Sequence, residues 1–217
     1  WIKRIKKSLE LYDIVRIDHF RGFEAYWAVP YGDDTAINGQ WEPGPGIDLF
    51  NAIKSQLGEL PIIAEDLGLM TQGVIDLREA TGFPGMKILG FAFDSGEEND
   101  YLPHTYTKNC VVYTGTHDND TLIGWFQKAK EEDRQFARDY LNSRSDDEIH
   151  WDAIRGAWSS VANMAISPVQ DFLGLGSEAR INTPGVAAGN WQWRLKHGVL
   201  TDELAERIAK LTKVYSR

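Results

Sequence analysis

Cysteine is almost missing from this chain. Cys110 is the single one among 217 residues, so no internal disulfide can staple the fold, and a reducing compartment is its natural setting. It sits in the apolar run Cys110-Val111-Val112-Tyr113 with Lys108 as its near cation. That reads as a buried, inert thiol rather than a nucleophile. No window approaches the ~20 apolar residues of a membrane span. Positive charge is scarce too: 23 Lys and Arg face 32 Asp and Glu, a formal net charge of -9. This disfavours nucleic acid or an anionic membrane surface as partner and leaves neutral substrates open. There is no His-Glu-x-x-His, no Cys/His ligand spacing, and no Walker or dinucleotide fingerprint. Gly44-Pro45-Gly46 is a rigid turn whose proline removes an N–H that a phosphate cradle needs. Internal repeats, low-complexity tracts and flexible linkers are absent. The chain opens at Trp1 without Met or a signal-like segment, as a processed chain or a fragment would.

What is present is ordinary in bulk, with 42% hydrophobic and 25% charged residues, enough for one sizeable core. Aromatics, at 12%, are somewhat rich and hint weakly at sugar stacking. Helical periodicity predicts a helix over 2–12, with Ile2, Ile5, Leu9 and Tyr12 on one face. Apolar strands follow over 13–20, 60–64, 86–93 and 110–120, and a short one over 165–171. Helices are expected over 48–57 with Asp48 as N-cap, from Thr71 to about Ala80, over 122–125, 128–142 and 151–163, and from Thr201 to about Tyr215. The charge-rich 130–139 segment reads as a solvated helix face. Residues 21–47, 95–107 and 174–198 read as loops. The first is long enough to be functional, and Trp27, Tyr31 and Trp41 on it either line a substrate groove or pack the loop down. Alternation of this kind argues an α/β fold with a parallel sheet and crossover helices. Five βα units cannot close an eight-stranded barrel of ~250 residues, so the chain is an open sheet or part of a larger barrel.

The strands end in titratable residues. Asp13-Ile14-Val15-Arg16-Ile17 runs into Asp18, Ile62-Ile63-Ala64 into Glu65 and Asp66, and the strand from Cys110 into His117, Asp118 and Asp120. The C-terminal ends of parallel strands are where α/β enzymes place their chemistry. Arg16 and Asp18 share a strand face, and the guanidinium favours an ionised carboxylate. A structural Arg–Asp pair on a sheet rim is the competing reading. Three carboxylates on one face suit a retaining glycosidase or transglycosidase, which needs a nucleophile, a general acid and support for a cationic transition state. Alternation along a strand allows only one of Glu65 and Asp66, and one of Asp118 and Asp120, to line such a site. Asp76, Asp94 and Asp171 read as structural. A divalent-metal site from Asp18-His19 and His117-Asp118 is the weaker alternative.

Three of these segments, Arg16-Ile17-Asp18-His19-Phe20-Arg21-Gly22, Ile63-Ala64-Glu65-Asp66-Leu67-Gly68 and Gly115-Thr116-His117-Asp118-Asn119-Asp120-Thr121, resemble sugar-site motifs of the amylomaltases. These are 4-alpha-glucanotransferases, or disproportionating enzymes. Asn38-Gly39-Gln40-Trp41, Gln170 to Gly176, and Asn182-Thr183-Pro184-Gly185 through Asn190-Trp191 resemble further family segments, in the family's order. The resemblance implies a (β/α)8 TIM-type barrel of which residues 1–217 hold about strands four to eight as a single unit, with 21–47 as a substrate-groove insertion. It implies Asp18 as nucleophile, Glu65 as general acid/base, and Asp118 as the group that binds sugar hydroxyls and stabilises the transition state. Arg16 would hold Asp18, and His117 and Asn182 would contact substrate. The implied partners are malto-oligosaccharides, amylose or glycogen-derived glucans, with no metal or organic cofactor, and with the barrel completed by an N-terminal half or by self-association. The implied setting is cytoplasmic or plastidial. An α-1,4-glucan hydrolase and an inactive glucan-binding fragment are the rival readings. Gly90 departs from the pattern, standing where a bulkier polar residue is expected.

Overall fold

The computed structural model describes residues 1–68, 70–94 and 99–217. Part of the loop expected over 95–107 therefore lies outside the described residues. The residues pack as two compact units, Trp1–Met86 and Lys87–Arg217.

The first unit opens with α1 (Ile2–Leu11), whose Ile5 is buried while its lysines stay in solvent. Strand β1 (Val15–Ile17) is only three residues long, shorter than expected, because His19 turns left-handed and Phe20–Phe23 winds into a 3-10 turn. The predicted loop over 21–47 needs correcting. It contains an antiparallel hairpin, β2 (Ala25–Ala28) and β3 (Gln40–Pro43), with Trp27 directly opposite Trp41. The aromatic cross-strand pair outweighs the local Gly and Pro content that suggested irregular chain. Helix α2 (Gly46–Leu57) starts two residues ahead of the expected cap, so Asp48 lies in its first turn, where its charge suits the helix dipole; Gly58 ends it with φ 78°. Strand β4 (Ile62–Ala64) runs parallel to β1 with Ile17 beside Ala64. Helix α3 (Gln72–Thr81) begins after Thr71 and stops at left-handed Gly82. Phe20, Phe23, Phe50 and Phe83 pack together in this unit's core with Ile53 and Val74, Phe50 stacking on Phe20 and meeting Phe23 and Phe83 edge to face.

The unit boundary falls within β5 (Gly85–Ile88), the edge strand of a sheet ordered β5-β6-β7, in which β6 (Cys110–Tyr113) and β7 (Met164–Ile166) are parallel. The long strands predicted over 86–93 and 110–120 are shorter in the structure. Leu89–Phe91 forms a 3-10 turn, and Gly115 onward turns away from the sheet. A Cβ on Gly90 would stand 3.3 Å from the Thr114 carbonyl, so a larger residue there is crowded by backbone. Cys110 is fully buried and its thiol donates to Thr107 O at 3.1 Å, as an inert thiol should. Helices α4 (Leu122–Lys128), α5 (Glu131–Leu141) and α6 (Ile149–Trp158) follow, α4 capped by Thr121 Oγ1 accepting from Gly124 N. Only Ala137 of α5 is buried, which bears out the solvated-face reading. The short strand predicted over 165–171 is present as β7 but stops at Ile166; Val169–Phe172 is a helical turn, α7, entered through Pro168. Helix α8 (Asp202–Tyr215) is capped by Thr201 as expected. Leu89, Phe93, Val112, Ile154, Trp158 and Leu211 share this unit's core.

Two outcomes follow from this packing. Asp66 is buried and accepts from both Arg78 Nη1 (3.0 Å) and Met86 N (2.7 Å), so Asp66→Ala strands a half-buried cation and a backbone donor. A loss of about 3 kcal/mol is expected by urea denaturation. On α5, hydrogen bonds from Arg138 hold the carboxyls of Glu131 and Asp146 below their ordinary values. Depressed carboxylates contribute stability above the unfolded pKa of about 4 that is lost as pH falls through the folded one. Arg138→Ala should therefore flatten the acid limb of a stability–pH profile below about pH 4.5 and leave its neutral-to-basic limb parallel to the wild type.

Candidate functional site

In the first unit, two carboxylates leave neighbouring parallel strands. Ile17 pairs with Ala64, so Asp18 and Glu65 are the next positions on each strand, and the ladder runs on through Glu65 N to Ile17 O and Phe20 N to Glu65 O, both 2.9 Å. Asp18 is exposed and its Oδ1 accepts from Arg16 Nη2 at 2.8 Å; Arg16 is also fixed by its Nε on Met86 Sδ at 3.3 Å. The same-face prediction for Arg16 and Asp18 is thus met as a contact. Among the described residues Glu65 is held by backbone: Oε2 accepts from His19 N at 2.6 Å and Oε1 from Leu67 N at 2.9 Å. His19 reaches this position with φ 50° and ψ 52°, a left-handed conformation unusual for a non-glycine residue. Asp66, by contrast, is spent on Arg78 and Met86 N, and Gly85 must be glycine there because a Cβ would stand 2.3 Å from Asp66 Oδ2. One carboxylate of the pair faces outward and one is structural, as strand alternation requires. Trp27 and Trp41 remain about half exposed, edge to face at 5.4 Å, with Trp27 Nε1 donating to Ala36 O and the Arg21 guanidinium 4.3 Å over Trp41; Tyr31 is fully exposed.

The second unit assembles a separate group. Thr114, at the end of β6, donates to Asp171 Oδ2 at 2.6 Å, while Leu122 N donates to Oδ1 at 2.9 Å. Burial pushes the Asp171 carboxyl above its usual range despite these bonds. Asn119 Oδ1 accepts from Thr116 N and Oγ1, both at 2.8 Å, which closes the turn that presents His117 and Asp118. Burial raises the Asp120 carboxyl, but hydrogen bonds from Lys128, Ser177 and Thr121 N outweigh it and hold the group below its ordinary value. Asp120 and Asp171 are therefore structural, and Asp118 is the exposed member. Its Oδ1 accepts from Asn182 Nδ2 at 2.5 Å, its Oδ2 lies 3.4 Å from His117 Nε2, and its main-chain carbonyl accepts from Arg180 Nη2 at 2.6 Å. The His117 ring lies 5.1 Å from Trp191 with planes 37° apart. Trp191 is itself left-handed, φ 63°, and Asn190 latches the loop by bonds to Thr183 N, Thr183 O and Val186 O.

The structure thus gathers Arg16 with Asp18, links the chain after Asp18 to Glu65, and gathers His117, Asp118 and Asn182. Three contributors escaped the sequence: the His19 amide, because a backbone group leaves no residue signature; Arg180, whose partners are carbonyls; and the left-handed turn at Trp191. Among the described residues no three His, Cys, Asp or Glu side chains converge to hold a metal ion, and no helix is long and apolar enough to cross a membrane.

The strain at His19 has a measurable consequence. Glycine adopts φ 50° freely, so His19→Gly should leave stability within about 0.5 kcal/mol, whereas the β-branched His19→Ile should cost about 2 kcal/mol by urea denaturation.

The chain as a whole is similar to known proteins. The model of the family described as 4-alpha-glucanotransferase matches residues 1–201. A 4-alpha-glucanotransferase of Clostridium butyricum is 56% identical over 218 aligned residues, covering 100% of this chain and 45% of that protein. One of Synechocystis sp. is 55% identical over 219, covering 100% and 43%. Among solved structures, an amylomaltase of Streptococcus agalactiae in complex with acarbose superposes with a TM-score of 0.96 at 39% identity, over 100% of this chain and 44% of that one. The chain spans less than half the length of the curated relatives it matches. The α/β assignment, and the reading of the chain as part of a larger (β/α)8 barrel, are borne out by these likenesses.

Proposed function

The chain belongs to the 4-alpha-glucanotransferase family, and from that premise we propose that the protein moves an α-1,4-glucan segment from one malto-oligosaccharide or amylose chain to the 4-hydroxyl of another glucan. The observation that carries this reading is the exit of Asp18 and Glu65 from paired parallel strands, one carboxylate held by a guanidinium and the other by two amides. Retaining transfer needs two carboxyl groups about 5–5.5 Å apart across the scissile bond. Asp18 attacks the anomeric carbon while Glu65 gives its proton to the departing O4, leaving a glucosyl ester on Asp18 and a free 4-hydroxyl. Glu65 then takes the proton of an incoming 4-hydroxyl, whose oxygen attacks the same carbon and expels Asp18. Two inversions restore the α configuration. Arg16 keeps Asp18 aimed through the 2.8 Å ion pair between its Nη2 and Asp18 Oδ1. Asp118 accepts from hydroxyls of the reacting glucose, and its charge favours the oxocarbenium-like transition state. His117, beside Trp191, contacts the same sugar. Asn182 bonds Asp118 in the free protein, so we assign it a share in orienting that carboxylate as well as in substrate contact. The buried thiol of Cys110, the chain's single cysteine, fits a reducing compartment.

Maltotriose tests the reaction. The full-length enzyme should yield glucose with maltopentaose and longer chains; glucose and maltose alone would mean that water, not a glucan, is the acceptor. Asp18→Asn and Glu65→Gln should each lower turnover at least about 10³-fold. α-Maltosyl fluoride separates their roles, because fluoride leaves without a proton. Glu65→Gln should recover the first step on that donor and Asp18→Asn should not.

A further inference from the structure

Asp118 and Asn182 are 64 residues apart in sequence, on two irregular segments with no ladder between them. Their side chains meet at 2.5 Å, and a contact between two partly exposed loops needs something to hold its backbone. One side chain does so at both ends. Arg180 donates Nη2 to the Asp118 carbonyl at 2.6 Å and Nε to the Asn182 carbonyl at 2.8 Å. With the Asn182 amide on Asp118 Oδ1, the three residues close a ring of hydrogen bonds. Arg180 is itself anchored next to fully buried Ala179, whose carbonyl accepts from buried Gln170, and its own N–H donates to Ser177 O at 3.1 Å. We propose that Arg180 is a positioning residue of the transfer reaction: its guanidinium fixes the backbone of Asp118 and of Asn182 together, and so fixes the Asp118 carboxylate against the reacting sugar. The proposal rests on the glucanotransferase reading above.

The chemistry of the side chain explains why an arginine stands here. A planar fork offers N–H groups in divergent, fixed directions, so one residue serves two carbonyls without losing a rotamer to each. Lysine is a single point donor and holds one. Asp118 gains its main interactions with the sugar as positive charge develops, so a displaced carboxylate weakens the transition state more than the ground state. Displacements on the order of 1 Å cost about 10²-fold in such sites. The signature is a fall in kcat with little change in KM.

The experiment measures maltotriose disproportionation by the full-length enzyme and its variants. Arg180→Ala should lower kcat about 100-fold with KM within about threefold, and Arg180→Lys should lie between it and wild type. In an Asp118→Ala background, where no carboxylate remains to be aimed, Arg180→Ala should add less than about threefold, because residues that act as one unit are non-additive. A merely structural arginine would instead multiply its loss in both backgrounds. Should Arg180→Ala not fold, Arg180→Lys and Arg180→Gln give the same comparison. Near-wild-type kcat in Arg180→Ala, or full multiplication of its loss in the Asp118→Ala background, overturns the proposal. No turnover by wild type overturns the glucanotransferase reading and the proposal with it.

Discussion

A strand buried on both sides has no polar outlet until it ends. That constraint organises this chain. Ile62, Ile63 and Ala64 of β4, and Cys110, Val111 and Val112 of β6, are all buried, so the first groups able to meet solvent chemistry come after them. Glu65 follows β4 directly, and His117 and Asp118 follow β6 on the turn that begins after Tyr113. Parallel pairing adds a second consequence, since neighbouring strands then end on one side and deliver their carboxylates together, as β1 and β4 do.

What happens to each carboxylate is decided by its first donor. Asp66, Asp120 and Asp171 are saturated by cations, hydroxyls and amides, and each is structural. Asp18 and Asp118 keep one strong partner and stay exposed. Among the described residues Glu65 is held by two amides of the chain, so its orientation is set by backbone geometry rather than by a mobile side chain.

The alternation of strands and helices was legible because its period is written in apolar residues, and the carboxylate positions were legible because they interrupt those runs. Asp18, Glu65 and Asp118 needed no structure to be singled out. The strand ends did not come through: hydrophobicity continues past Ile88 and past Pro168, yet the chain there is helical, because a 3-10 turn at Leu89 and a helical turn at Val169 bury the same residues without a ladder. The hairpin around Trp27 and Trp41 was hidden behind its glycines, since a cross-strand aromatic pair 14 residues apart leaves no local period. Backbone donors at His19 and Leu67, and the carbonyl-bound guanidinium of Arg180, have no sequence signature because the partner in each case is common to all residues.

The central claim is that Asp18 becomes covalently loaded while Glu65 manages the proton. Its most direct test is mass spectrometry of the full-length Glu65→Gln variant quenched in acid during turnover of α-maltosyl fluoride, followed by peptic digestion. The account expects a maltosyl adduct on the peptide carrying Asp18. An adduct on the peptide carrying Asp118, or steady turnover with no adduct at any carboxylate, would contradict it.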